Sequence, residues 1–175
     1  MCGSILIATW IQINLFEQDY LNYALTIIWV VGIMNAINML DNMDAIASIA
    51  SAFILISALC YLYLQQDLTN IYFLILTGIL ASLTAFLFFN WNPSKVYMGD
   101  TGSQFLGIIL AIVGIKFLWN FQPMEGDSHI SQRIIHTAIV FILPLVDAAV
   151  VIINRISKKK SPFVGGKDHT THHLS

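Results

Sequence analysis

The sequence predicts an all-α fold, a polytopic transmembrane helix bundle with about five to six spans. Three observations carry this reading. The 175 residues are 57% apolar and only 10% charged, against about 25% charged in a typical soluble domain. Mean hydropathy is +0.75. The apolar residues also gather into runs near the ~20 residues that a helix needs to cross hydrocarbon. One soluble core cannot hide so much apolar side chain, so lipid is the expected solvent for much of the surface.

The runs cover residues 20–40, 45–64, 71–89, 105–119 and 134–153, with a shorter one at 1–16. The 105–119 run is short and is expected to borrow flanking residues. The 1–16 run reads as the stump of a longer span. It has no basic leader and no small-residue cleavage site, so it is a poor signal peptide. The chain ends within a motif-like run at His172, His173, Leu174 and Ser175. Residues 1–175 therefore read as part of a membrane-embedded domain, with spans missing at both ends. There is no internal repeat and no low-complexity stretch.

Charge excludes some functions. The net charge of −2 leaves no basic footprint for nucleic acid. Cys2 and Cys60 sit in apolar runs and suggest packing rather than a disulfide framework or a metal site. Aromatics at span ends, such as Trp10, Trp91 and Trp119, read as an interfacial belt.

Alternating the spans across a bilayer puts residues 38–45, 90–103 and 155–175 on one side. Six of the eight Lys and Arg residues fall there, namely Lys95, Arg155, Lys158, Lys159, Lys160 and Lys167. The positive-inside rule makes that side cytoplasmic. Arg133 is the exception, and Lys116 is expected to snorkel from late in a helix. The same alternation gathers the unusual polar clusters on that face, as expected of a site at the mouth of a bundle.

The first cluster holds Asn35, Asn38, Asp41, Asn42 and Asp44. Asn38, Asp41 and Asp44 are spaced by three, which predicts one helical face. A solvated turn needs one or two such residues, not five. Ionisable groups at a membrane boundary are costly and point to function. The second cluster runs from Asn90 through Pro93, Tyr97, Gly99, Asp100 and Gly102 to Ser103, directly before an apolar helix. Thr101 or Ser103 is expected to cap that helix, whose N-terminus offers N–H groups to an anion. Asp100 beside it suits Mg²⁺, which takes one or two carboxylates plus phosphate oxygens and water. Tyr97 can stack on a base. The third cluster holds Lys167, His169, His172 and His173, a cationic cradle for a pyrophosphate. Asp147, within the last run, is left between helix–helix glue and a supporting role at the site.

Taken in order, these clusters resemble those of the polyprenyl-phosphate N-acetylhexosamine-1-phosphate transferase family, in the undecaprenyl-phosphate GlcNAc-1-phosphate transferase branch. Phospho-MurNAc-pentapeptide translocase is a related branch. The resemblance spans nearly the whole chain. It implies transfer of a sugar-1-phosphate, GlcNAc-1-phosphate by preference, from a UDP-sugar to undecaprenyl or another polyprenyl phosphate. UMP is released, and the product starts a cell-envelope polysaccharide. It implies Mg²⁺, with Mn²⁺ as a substitute, and a multi-pass location in the bacterial inner membrane. The implied partners are the UDP-sugar, the polyprenyl-phosphate lipid, the bilayer and a second copy in a homodimer.

Carried over by residue, the resemblance makes Asp41, Asp44 and Asp100 catalytic. Asp100 and Asn38 become metal ligands. Asn38, Asn90, Tyr97, Lys167, His169, His172 and His173 become substrate-binding residues. Residues 41–45 depart from the family's Asp-Gly-x-Asp-Gly, because Asn42 and Ala45 replace both glycines. An upstream aspartate pair of the family is absent, so the chain alone is expected to be inactive. An ion-coupled transporter and a non-catalytic membrane scaffold are the rival readings. The transporter predicts polar groups near the bilayer midplane, and the scaffold predicts no UDP-sugar binding.

Overall fold

The computed structural model describes residues 12–121 and 129–157, and every regular element among them is helical. The helices are α1 (Asp19–Leu40), α2 (Ile46–Leu64), α3 (Ile71–Asn90), α4 (Gly99–Gly114), α5 (Ile130–Val140) and α6 (Ile142–Ser157). A π-helical turn, Ile115–Trp119, extends α4. Four stretches are long and apolar enough to cross a membrane: Asp19–Leu40, Ile46–Leu64, Ile71–Asn90 and Gly99–Trp119. The all-α membrane bundle expected from composition is the fold found.

α1 is the hub. It packs along α4 on one side and against α6 on another, while α2 carries α3. Ile33 and Ile37 of α1, Ile54 and Leu55 of α2, and Leu110 of α4 are fully buried between these helices. Two glycines let α4 approach closely. A Cβ on Gly107 would lie 2.8 Å from the Met34 Cα, and one on Gly114 would lie 2.9 Å from the Trp29 ring. Small residues allow such backbone contact between helices in lipid, where packing replaces the hydrophobic effect as the driving force. Trp29 completes the contact by donating from Nε1 to the Ala111 carbonyl at 3.1 Å. α3 is the reverse case. Only 11% of its membrane-crossing window is buried inside the bundle, and Leu74, Ile75 and Phe88 face outward.

Several expectations are corrected. The 105–119 run borrows upstream residues as expected, starting at Gly99, but Thr101 and Ser103 thereby lie inside the helix and cap nothing. The single span expected at 134–153 is two helices bent by 79°. Pro144 explains the break: it has no N–H, and its ring clashes with the carbonyl four residues back, at Val140, where α5 ends. Phe141, at the corner, packs edge-on against Trp29 with centroids 4.9 Å apart. Residues 12–16 of the expected N-terminal stump are not helical. They are pinned to the bundle by Thr26, which accepts from the Ile13 N–H, and by Asn120, which accepts from the Asn14 N–H. Trp119 stands edge-on to Trp29, with ring centroids 5.3 Å apart. The Lys116 ammonium does extend along the helix, and it ends 3.8 Å from the centre of the Tyr72 ring. Trp10 and Cys2 lie outside the described residues.

Gly107→Ala is expected to lower stability by about 1–3 kcal/mol, because the new methyl meets backbone rather than a movable side chain. Thermal unfolding in detergent measures this. Gly78→Ala is the control, since its Cβ meets nothing within 4 Å and its midpoint should not fall.

Candidate active site

The end of α1, the start of α2, the end of α3 and the start of α4 meet at one mouth of the bundle. Three sets of hydrogen bonds stitch them together. Asn90, buried at the last position of α3, accepts at Oδ1 from the Ala45 N–H (3.0 Å) and the Ser48 hydroxyl (3.3 Å). Its amide nitrogen donates to the Val96 carbonyl at 2.9 Å. Asp44 accepts from Ser94 and Asn92. The Ser103 hydroxyl donates to Asn38 Oδ1 at 2.6 Å.

α2 has no side-chain cap of its own. Asn90 supplies one from the end of α3, which satisfies an otherwise orphaned N–H at the helix start. Ala45, just before α2, has φ 67° and ψ −19°, in the left-handed region. This is where the resembled family pattern has its second glycine. An L-residue there costs roughly 1–2 kcal/mol. The bond from the Ala45 N–H to Asn90 holds the turn in place despite that cost.

The expectation of one helical face for Asn38, Asp41 and Asp44 does not hold. α1 stops at Leu40, Asp41 forms its C-cap, and Asp44 lies beyond in the turn. Asp41 instead comes near Asp100, which sits in the first turn of α4. Half-burial, and then the Asp100 charge, push the Asp41 carboxyl up to about 6. Neither carboxylate makes a side-chain hydrogen bond among the described residues, so both keep their lone pairs for a ligand. Asp44 behaves oppositely: the Ser94 hydroxyl, the Ser94 N–H and the Asn92 amide hold its carboxyl below the ordinary value.

Two like charges facing one another with free oxygens fit a cation. Asp41, Asp100 and the Asn38 amide oxygen are hard donors of the kind Mg²⁺ takes, leaving positions for phosphate and water. No three Asp, Glu, His or Cys side chains among the described residues converge as a complete metal cage. Tyr97 is exposed beside the same mouth. Lys167, His169, His172 and His173 lie outside the described residues. Ser94, Asn92 and Ser48 were missed by sequence reasoning. They look like ordinary turn and helix-start residues, and no spacing signal ties them to partners 42 to 50 positions away.

Two predictions follow from this geometry. Asp41 binds its proton more tightly when folded than the ordinary 3.8. Between about pH 4 and 6 the folded state therefore carries the extra proton, and this group's contribution to stability falls as pH rises through that window. The difference in melting temperature between wild type and Asp41→Asn should decline from pH 4 to 6 and then level out. A difference independent of pH would contradict the burial argument. Ala45→Gly should relieve the left-handed strain, less about 0.5–1 kcal/mol of glycine entropy, for a net gain of up to about 1 kcal/mol. A rise in the detergent melting midpoint would report it.

A family model described as glycosyl transferase family 4 matches residues 3–118. Over 159 residues the chain is 35% identical to the "Probable undecaprenyl-phosphate N-acetylglucosaminyl 1-phosphate transferase" of Bacillus subtilis, covering 91% of the chain and 42% of that protein. It is 38% identical over 108 residues to a phospho-N-acetylmuramoyl-pentapeptide-transferase of Streptococcus agalactiae, covering 59% of the chain and 31% of that protein. Against the Streptococcus uberis protein of the same name it is 42% identical over 88 residues, covering 50% of the chain and 25% of that protein. The chain thus spans less than half the length of these curated relatives. With an apolar helical bundle, a carboxylate pair at its mouth and this match over most of its length, the chain belongs to glycosyl transferase family 4.

Proposed function

We propose that the protein carrying this chain transfers GlcNAc-1-phosphate from UDP-GlcNAc to undecaprenyl phosphate, releasing UMP, in the bacterial inner membrane. The product starts a lipid-linked cell-envelope polysaccharide. The observation that carries this reading is the pairing of Asp41 with Asp100, two unbonded carboxylates at one mouth of a lipid-exposed bundle. The similarity to a transferase of that printed activity supports the choice of sugar and lipid.

Two anions must meet in such a reaction, and their repulsion dominates the barrier. Asp100, Asn38 and Asp41 would hold Mg²⁺, with Mn²⁺ as a substitute. A bound divalent ion supplies charge neutralisation on the diphosphate and on the departing UMP. The first turn of α4 directs backbone N–H groups toward the same mouth, where they favour phosphate oxygens. An oxygen of the lipid phosphate bonds to the β-phosphorus, and the bond from that phosphorus to the bridging oxygen breaks, so UMP keeps the electron pair. A phosphate monoester is already largely ionised near neutral pH, so no strong base is required. Tyr97 would stack on uracil at the same mouth, which the buried amide of Asn90 braces. Lys167, His169, His172 and His173 would hold phosphate oxygens, a role resting on the family resemblance. Lys95, in the loop before α4, supports a cytoplasmic orientation of this mouth.

The transporter reading gains nothing from the broken helix pair. Its corner is the apolar Phe141 packed on Trp29, whereas the paired carboxylates sit at helix ends.

The test is UMP release by the complete transferase in detergent with UDP-GlcNAc, undecaprenyl phosphate and Mg²⁺. Chelation should abolish turnover, and added Mg²⁺ or Mn²⁺ should restore it. Asp100→Ala should lower kcat on the order of 10²–10³-fold, as expected when a main electrostatic stabiliser is removed. Near wild-type turnover in that variant would overturn the metal assignment. No UMP from any UDP-N-acetylhexosamine would overturn the function.

A further inference from the structure

A carboxylate that serves a metal or substrate keeps lone pairs available. Asp41 and Asp100 make no side-chain hydrogen bond among the described residues, whereas protein donors fill three of the roughly four acceptor sites of Asp44. Asp44 Oδ1 accepts from the Ser94 hydroxyl at 2.7 Å. Its Oδ2 accepts from the Ser94 N–H at 3.2 Å and from the Asn92 amide at 3.0 Å. All three donors belong to the loop between α3 and α4, while Asp44 belongs to the turn between α1 and α2. Three donors from one loop close on one side chain of the other, as a clasp does.

We infer that Asp44 is a positioning residue for the transfer proposed above. Its carboxylate locks the turn after α1 to the loop before α4, and so fixes Asp41 relative to Asp100, without touching metal or substrate. The family resemblance groups Asp44 with the catalytic carboxylates. The geometry separates it from them.

The placement explains why a charged residue is used. Hydrogen bonds to a carboxylate are shorter and stronger than bonds between neutral groups. The clasp adjoins Ala45, whose left-handed turn needs holding. Behind it, the Asn90 bonds and the bond from Ser103 to Asn38 do not involve Asp44. Loss of the clasp should therefore loosen the site without unfolding the bundle.

The test compares Asp44→Asn, Asp44→Ala, Ser94→Ala and the double variant Asp44→Ala/Ser94→Ala in the complete transferase. Asparagine keeps an oxygen for the Ser94 N–H and the Asn92 amide, and its NH₂ group, in place of Oδ1, can donate to the Ser94 hydroxyl, which turns to accept. Asp44→Asn should stay within about tenfold of wild-type kcat, while Asp44→Ala should fall about 100-fold, the scale of a small misplacement of reacting groups. The Mg²⁺ concentration for half-activation should rise about tenfold in Asp44→Ala, as when an outer-shell support of a metal ligand is lost. Ser94→Ala should lower kcat by itself but add nothing to Asp44→Ala, because both break one clasp. Two results would overturn the inference: Asp44→Asn as damaging as Asp44→Ala while Ser94→Ala is harmless, or losses that simply add.

A second readout does not use activity. Spin labels at Asn42→Cys and Lys95→Cys, one on each loop, should give a narrow distance distribution that broadens when Asp44→Ala is added. An unchanged distribution rejects the clasp. If the wild-type protein transfers no sugar phosphate, the proposed function fails, and the label distances still decide whether Asp44 holds the two loops together.

Discussion

The close crossing of α1 and α4 governs the rest of the molecule. Gly107 brings the α4 backbone against Met34. One turn nearer the mouth, Ser103 reaches Asn38 across the same contact. That crossing sets where α1 ends and where α4 begins, and Asp41 and Asp100 occupy those two ends. In water, burial of apolar surface would hold such helices together. In lipid the tails are as apolar as leucine, so the fit itself must do it. A glycine at the crossing and a hydrogen bond beside it suit that requirement.

The loops above the crossing are fixed by polar contacts rather than by packing. Asn90 caps α2 from outside, and Asp44 gathers the donors of the opposite loop. These contacts bridge turns far apart in sequence, so the carboxylate pair exists only in the folded bundle. Asp41 illustrates the cost. Its carboxyl is raised by burial and by the neighbouring charge, so keeping it ionised beside Asp100 costs stability.

Much of the fold was legible in the sequence because a membrane span is a matter of length and composition. Residues 20–40, 45–64 and 71–89 lie within a residue or two of α1, α2 and α3. The spans that were misjudged involve local stereochemistry. Gly99 and Asp100 read as loop residues, yet they form the first turn of α4. Pro144 lies inside the apolar run 134–153, and hydropathy does not register its clash with the Val140 carbonyl. At the site, Asp41, Asp100 and Asn38 were identifiable as unusual polar residues beside apolar runs. The partners Ser94, Asn92 and Ser48 were not, because a serine in a turn announces nothing about what it will meet. The three-residue spacing misled at Asp44, since helical periodicity says nothing once the helix has ended.

α3 leaves most of its surface outside the bundle of described helices and leans on α2 for support. A helix held on one side accommodates changes in hydrocarbon thickness by tilting, at a cost of fractions of a kcal/mol per Å. Its last residue is Asn90, which anchors the loop bearing Ser94. Any tilt of this one lever-like helix would therefore pull on the loop that carries the donors to Asp44.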